Sequence, residues 1–138
     1  MKNNYEYIVS SCLAGVKCRY DGTCKKDDYV LSLVKEGKAY CVCPEVLGGL
    51  SIPREPSEII GDKVITKSGR DVTKNYIEGS MEVLKIVKKY NIKKAILKDK
   101  SPACGTKRYD GTFSNKLVLL PGVTAKILKE NGIEIISK

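Results

Sequence analysis

Apolar positions along this chain recur with two different spacings, and the two spacings take turns. Residues 5–11, YEYIVSS, alternate in the manner of a strand and carry Ile8 and Val9. Residues 27–36, DDYVLSLVKE, open with acids, set Val30, Leu33 and Val34 on one helical face and run into Gly37, a stop signal. A second strand is expected over 39–43, and a short strand or hairpin arm over 63–69. The strongest helical repeat covers 73–90. Thr73 stands where an N-cap is expected, and Ile77, Met81, Leu84 and Val87 fall at i, i+4, i+7 and i+10, which predicts one buried stripe. Glu78, Glu82, Lys85 and Lys89 line another face. KKAILKD, residues 93–99, predicts the third main strand. Residues 122–132, between Pro121 and the Asn131-Gly132 end, predict the last helix, and IEIIS, residues 133–137, a closing strand.

This order predicts an α/β fold: a small doubly wound, Rossmann-like, mainly parallel sheet with helices on both faces, one domain over 1–138. Two segments interrupt the alternation. Residues 12–26 read as a loop, with Gly15 and Asp21-Gly22. Residues 44–62 hold three of the five prolines and three glycines. They read as a long ordered loop, and such a loop inside a compact domain is usually functional. One short echo links distant regions: Arg19-Tyr20-Asp21-Gly22-Thr23 recurs as Arg108-Tyr109-Asp110-Gly111-Thr112. Two similar turns, or two matching walls of one pocket, would each account for it.

Charge changes this picture little. The net charge of +9 comes from 21 lysines and only four arginines, Arg19, Arg54, Arg70 and Arg108. Scattered lysines suit a solvated surface better than a nucleic-acid footprint, which would favour arginine. No apolar run approaches the ~18 residues of a membrane span, and the start, MKNNYEYIVSSC, lacks the apolar stretch and cleavage site of a leader. A cytoplasmic location is the expectation.

Candidate chemistry changes the picture most. The chain has no histidine, which removes imidazole metal sites and the Ser-His and Cys-His pairs of nucleophilic catalysis. It has six cysteines: Cys12, Cys18, Cys24, Cys41, Cys43 and Cys104, with no CxxC pair. In a reducing compartment these are free, catalytic or metal-binding thiols rather than a disulfide framework. In open α/β sheets ligands bind beyond the carboxyl ends of the strands. Cys12 follows the first strand, Cys43 ends the second, and Cys104 follows the third within Ser101-Pro102-Ala103-Cys104-Gly105. Three thiols remote in sequence are thereby expected at one sheet edge. Three thiolates suit zinc with an open fourth position or an iron–sulfur cluster. A plain thiol nucleophile and merely buried cysteine stay open on spacing alone. Glu45, in the carboxylate-bearing turn after Cys43, is the natural water activator where histidine is lacking, unless it caps a short helix. Ser101 could equally cap the turn at Pro102.

SSCLAGVKCRYDG, CPEVLGGLSIPREPSEI, ILKDKSPACG, YDGTFS and GVTAKILKENGIEIIS occur in this order across nearly the whole chain. In these stretches the chain resembles a bacterial family that includes iron–sulfur-dependent thiouracil desulfidases. The resemblance implies a [4Fe–4S] cluster held by Cys12, Cys43 and Cys104 with one open iron, Glu45 as the acid–base carboxylate, and Ser101 assisting at the substrate. It implies removal of sulfur from a thiocarbonyl such as 2-thiouracil, a small thiolated pyrimidine, with water supplying the oxygen and no net electron transfer. Cys18 matches a family cysteine that is not a ligand; Cys24 and Cys41 lie outside the pattern. Two rivals remain on the residues alone. One is a cysteine-held metal or cluster module that binds partners through its basic surface. The other is a metal-free persulfide carrier on Cys43 or Cys104.

Overall fold

The computed structural model describes residues 4–138; the first three residues of the N-terminal segment considered above lie outside it. Four strands, β1 (Tyr7–Ser10), β2 (Ala39–Val42), β5 (Lys94–Leu97) and β8 (Glu134–Ser137), form one sheet in the order β2-β1-β5-β8. All three pairings are parallel. The remaining elements are α1 (Asp28–Lys35), α2 (Pro44–Leu47), β3 (Ser57–Ile60), β4 (Lys63–Thr66), α3 (Thr73–Lys89), β6 (Arg108–Tyr109), β7 (Leu117–Val118) and α4 (Val123–Glu130). The expected α/β architecture with helices on both faces is what the chain adopts.

Strand alternation divides the interior into two cores. Ile8, Ala95 and Leu97 face one way, into a core with Tyr76, Val83, Leu84 and Val87 of α3 and Leu128 of α4. Val9 and Ile96 face the other way and meet Val30 and Leu33 of α1, with Cys12, Leu13 and Cys18. From β1 the chain steps outward to β2, then crosses back to β5 and β8. The strand order therefore reverses between β1 and β5, where a crevice opens at the carboxyl ends of the strands.

Four expectations need correction. The stripe on α3 is turned over its first half: Leu84 and Val87 are buried as expected, but Ile77 and Met81 are 46% and 44% exposed, and Tyr76, Gly79, Ser80 and Val83 are buried instead. The small and hydroxyl-bearing positions Gly79 and Ser80 make that face, because α2 and α4 press against it; Ser80 Oγ lies 2.6 Å from Thr124 Oγ1 of α4. Thr73 is not the N-cap but the first helical residue, after Val72. Its hydroxyl donates to Asp71 Oδ1 at 2.6 Å and accepts the Val64 N–H at 2.8 Å, so it ties the helix start to the hairpin. Residues 44–62 are not all loop: they contain α2 and β3, and β3 pairs antiparallel with β4. The loop expected over 12–26 begins with a 3₁₀ turn, Ser11–Ala14. The echoed turns share one hydrogen-bond pattern. Asp21 Oδ1 accepts the Thr23 N–H at 3.1 Å, and Asp110 Oδ1 accepts that of Thr112 at 2.9 Å.

Candidate functional site

Each strand end feeds a differently built support. After β1, the 3₁₀ turn carries Cys12, and the following loop folds back on it: Lys25 N–H donates to Cys12 O at 2.9 Å. After β2, Cys43 is the extended residue that starts α2, with Pro44 in the first helical position, where its missing N–H costs nothing. Two glycines seat this helix. An added Cβ on Gly79 would lie 1.9 Å from Pro44 O, and one on Gly48 1.9 Å from Asn75 O, so α2 rests backbone to backbone on α3. After β5, Ser101 Oγ accepts the N–H groups of Ala103 and Cys104, both at 3.1 Å. The same loop caps α4: Val123 and Thr124 donate to Pro102 O and Ala103 O at 2.8 and 2.9 Å.

These supports enclose a cavity of roughly 730 Å³ bordered by Cys12, Cys18, Cys43, Cys104, Glu45 and Ser101. The structure thus brings together all five residues singled out in the sequence, and it adds Cys18. Cys24 and Cys41 border no part of it. All six thiols are free. Both echoed turns reach the cavity, one through Arg19 and Tyr20 and the other through Tyr109, so similar turns and matching walls describe the same feature.

Three of the cavity thiols, Cys18, Cys43 and Cys104, are held in the protonated form by their surroundings. Burial pushes Cys104 up to about 12. Contact with Cys12, together with burial, raises Cys18 to about 11. Contact with Cys18, and then burial, raise Cys43 as well. Such thiols bind a soft metal by exchanging their protons for it. Among the described residues no three Cys, Asp or Glu side chains converge tightly enough for a single metal ion. Thiols arrayed around a wide cavity instead fit a polynuclear group, whose ligands each reach a different metal atom. Four sulfur donors share the lining with the carboxylates Glu45, Glu58 and Asp99, and the rim supplies cations, Arg19, Lys25, Lys67, Lys98 and Lys100, against the negative charge of thiolates.

Glu45 is held from behind. Arg54 Nη2 donates to Glu45 Oε2 at 3.0 Å and to Cys18 O at 3.0 Å, and the Tyr76 hydroxyl donates to Glu45 Oε1. Neither Arg54 nor Tyr76 borders the cavity. Burial works against the Arg54 charge, yet the Glu45 carboxylate outweighs it and raises the guanidinium above its ordinary value. Burial, then the Glu45 charge, push Tyr76 well up, so its hydroxyl stays a donor. Sequence reasoning did not single out Arg54, Tyr76 or the buried Glu58 for the site. The one available signal was Arg54, a scarce arginine set among prolines nine residues after Glu45.

An α/β chain that gathers thiols and a clamped carboxylate at its strand ends is, by class, a candidate cysteine-ligated metalloenzyme. Residues 7–138 match the family model for 2-thiouracil desulfurase, and the chain belongs to that family. It is 46% identical to the uncharacterized protein YbbK of Bacillus subtilis (strain 168), covering 95% of this chain and 94% of that one. It is also similar to a solved [4Fe–4S]-dependent thiouracil desulfidase, TudS, at 39% identity and a TM-score of 0.93, covering 97% of this chain and 91% of the other.

Proposed function

We propose that this protein is a [4Fe–4S]-dependent desulfidase that converts a thiouracil-type thiocarbonyl and water into the oxo compound and hydrogen sulfide. The observation that carries the reading is the common cavity of Cys12, Cys43, Cys104 and Glu45 in a chain of this family. Cys12, Cys43 and Cys104 would hold three irons and leave the fourth open. When bound, such a cluster supplies a Lewis acid suited to a soft sulfur atom. Glu45 would take a proton from the water that attacks the thiocarbonyl carbon, a contribution of about 10²–10⁴-fold. Arg54 and Tyr76 keep that carboxylate in one orientation, with its remaining lone pairs toward the cavity. Ser101 Oγ already accepts two backbone N–H groups, so its own proton is free for an acceptor on the substrate. Oxygen enters as sulfur leaves, electrons balance without a redox partner, and an oxygen-sensitive open iron suits a reducing cytoplasm. The described residues contain no helix long and apolar enough to cross a membrane. The whole of 1–138 would act as one domain on a small molecule.

The test is anaerobic reconstitution followed by iron, sulfide and visible-absorbance analysis, with sulfide release from 2-thiouracil. Serine at Cys12, Cys43 or Cys104 should lower cluster content, and serine at Cys18 should not. Glu45→Gln should keep the cluster and lose at least about 100-fold in turnover. A wild-type protein that stays colourless, or a Glu45→Gln enzyme that turns over normally, would overturn the assignment. Trapped persulfide on a metal-free protein would favour the carrier alternative.

A further inference from the structure

Besides Glu45 the cavity is bordered by two more carboxylates, Asp99, whose Oδ1 accepts the Lys107 N–H at 3.0 Å, and Glu58, and the reaction above employs neither. Glu58 of β3 is 7% exposed, yet it borders the cavity. Its Oε1 accepts the Gly111 N–H at 3.0 Å and the Phe113 N–H at 3.1 Å. Those amides belong to the second of the echoed turns and to the residue just after it, and the turn lies directly on β3: Gly111 has φ +95°, and an added Cβ there would sit 2.6 Å from Ile59 O. Among the described residues no hydrogen bond to Oε2 is formed, and none of the ion pairs involves Glu58. Nor is Oε2 sealed in protein, since among the described residues the one buried side-chain polar atom without a partner is Arg54 Nε. The oxygen therefore keeps some exposure, on a residue that borders the cavity. An ionised carboxylate offers only acceptor sites, and a buried one needs donors.

We propose that Glu58 determines specificity by accepting a hydrogen bond from a ring N–H next to the substrate's thiocarbonyl. The inference rests on the desulfidase reading and narrows its substrate class to cyclic thioamides that carry such an N–H. A thiolated pyrimidine supplies the donor; a thiocarbonyl flanked only by carbon or by alkylated nitrogen does not. The turn fixes one oxygen so that the other is already oriented when the substrate arrives. Glu58→Gln separates this role from a merely structural tether. Glutamine can still accept the two turn amides through its carbonyl, but it then presents an NH₂ donor to the cavity.

The experiment measures kcat and KM for sulfide release from 2-thiouracil and its two N-methylated forms. It also measures calorimetric binding of uracil and its N-methylated forms, with the reconstituted wild type and Glu58→Gln. In the wild type, methylation of one ring nitrogen should weaken KM and binding about 10- to 100-fold, the range for losing a hydrogen bond to a charged group. In Glu58→Gln the unmethylated ligands should weaken similarly, and the preference over the methylated ones should fall to within about threefold. Equal use of parent and methylated compounds by the wild type overturns the proposal, as does a preference that survives in Glu58→Gln. If the variant fails to fold, the wild-type series alone decides. If the wild type releases no sulfide, the desulfidase reading fails, and the uracil binding series still judges Glu58.

Discussion

Replacing Gly79 by alanine tests whether the turn that carries Cys43 and Glu45 is placed by backbone contact. The added Cβ would lie 1.9 Å from Pro44 O and 2.9 Å from Gly48 N, where Cβ contacts below 3.0 Å essentially do not occur. Helix α2 must therefore retreat from α3 by about 1 Å. It cannot do so freely, because Asn75 Nδ2 of α3 holds Gly48 O, at the end of α2, at 2.8 Å. Two energies oppose each other. Alanine gains about 1 kcal/mol of helix propensity over glycine, and overpacking costs about 1–3 kcal/mol. The net loss of stability should be about 0–2 kcal/mol. Activity should suffer more, because Cys43 and Glu45 travel with α2, and a 1 Å misplacement costs about 100-fold. Urea unfolding and sulfide release, measured on the same anaerobic preparation, should thus diverge. A variant with wild-type turnover and cluster content would refute the argument, and so would one whose lost activity is explained by unfolding.

Two further outcomes follow from named contacts. Arg54→Leu leaves Glu45 inside with only the Tyr76 hydroxyl. With side chains 7% and 16% exposed in this pair, the loss should be about 3 kcal/mol in urea unfolding, above any surface ion pair such as Lys85–Glu82. Asp21, Asp71 and Asp110 are each held below their ordinary 3.8, first by the hydroxyl of the threonine two residues on. Their stabilisation is complete above that value and is lost as pH falls through the lower folded values. The urea midpoint should therefore hold between pH 6 and 4 and drop below, less steeply in Asp71→Asn, as fluorescence-monitored titrations would record.

The sheet was legible because its strands each carry a short apolar run before or after a strongly periodic helix. Ile8-Val9, Ala95-Ile96-Leu97 and the repeats of α1, α3 and α4 sufficed to order them. What escaped was either too short to have a period or set by tertiary contact. Helix α2 has four residues and begins at a proline, and β6 and β7 have two each; β3 is as long as the sheet strands but follows a run with Pro53 and Pro56 that reads as loop. The face of α3 was misjudged because Gly79 and Ser80 carry no apolar signal; their burial comes from the helices laid on them. At the site, the cysteines announced themselves because strand ends are predictable places. Arg54, Tyr76 and Glu58 did not, since their partners stand 9, 31 and 53 residues away and meet only after folding.

The crossing from β2 back to β5 has a biosynthetic corollary. Cys12, Cys43 and Cys104 come to border one cavity only once three strands, two from the first third of the polypeptide and one from the last, have zipped together. A nascent or damaged chain offers thiols, but no nest for a cofactor shared among them. Under the ligation proposed above, loading would come after assembly of the sheet, and the occupant, bound to the native form alone, would act as a rivet.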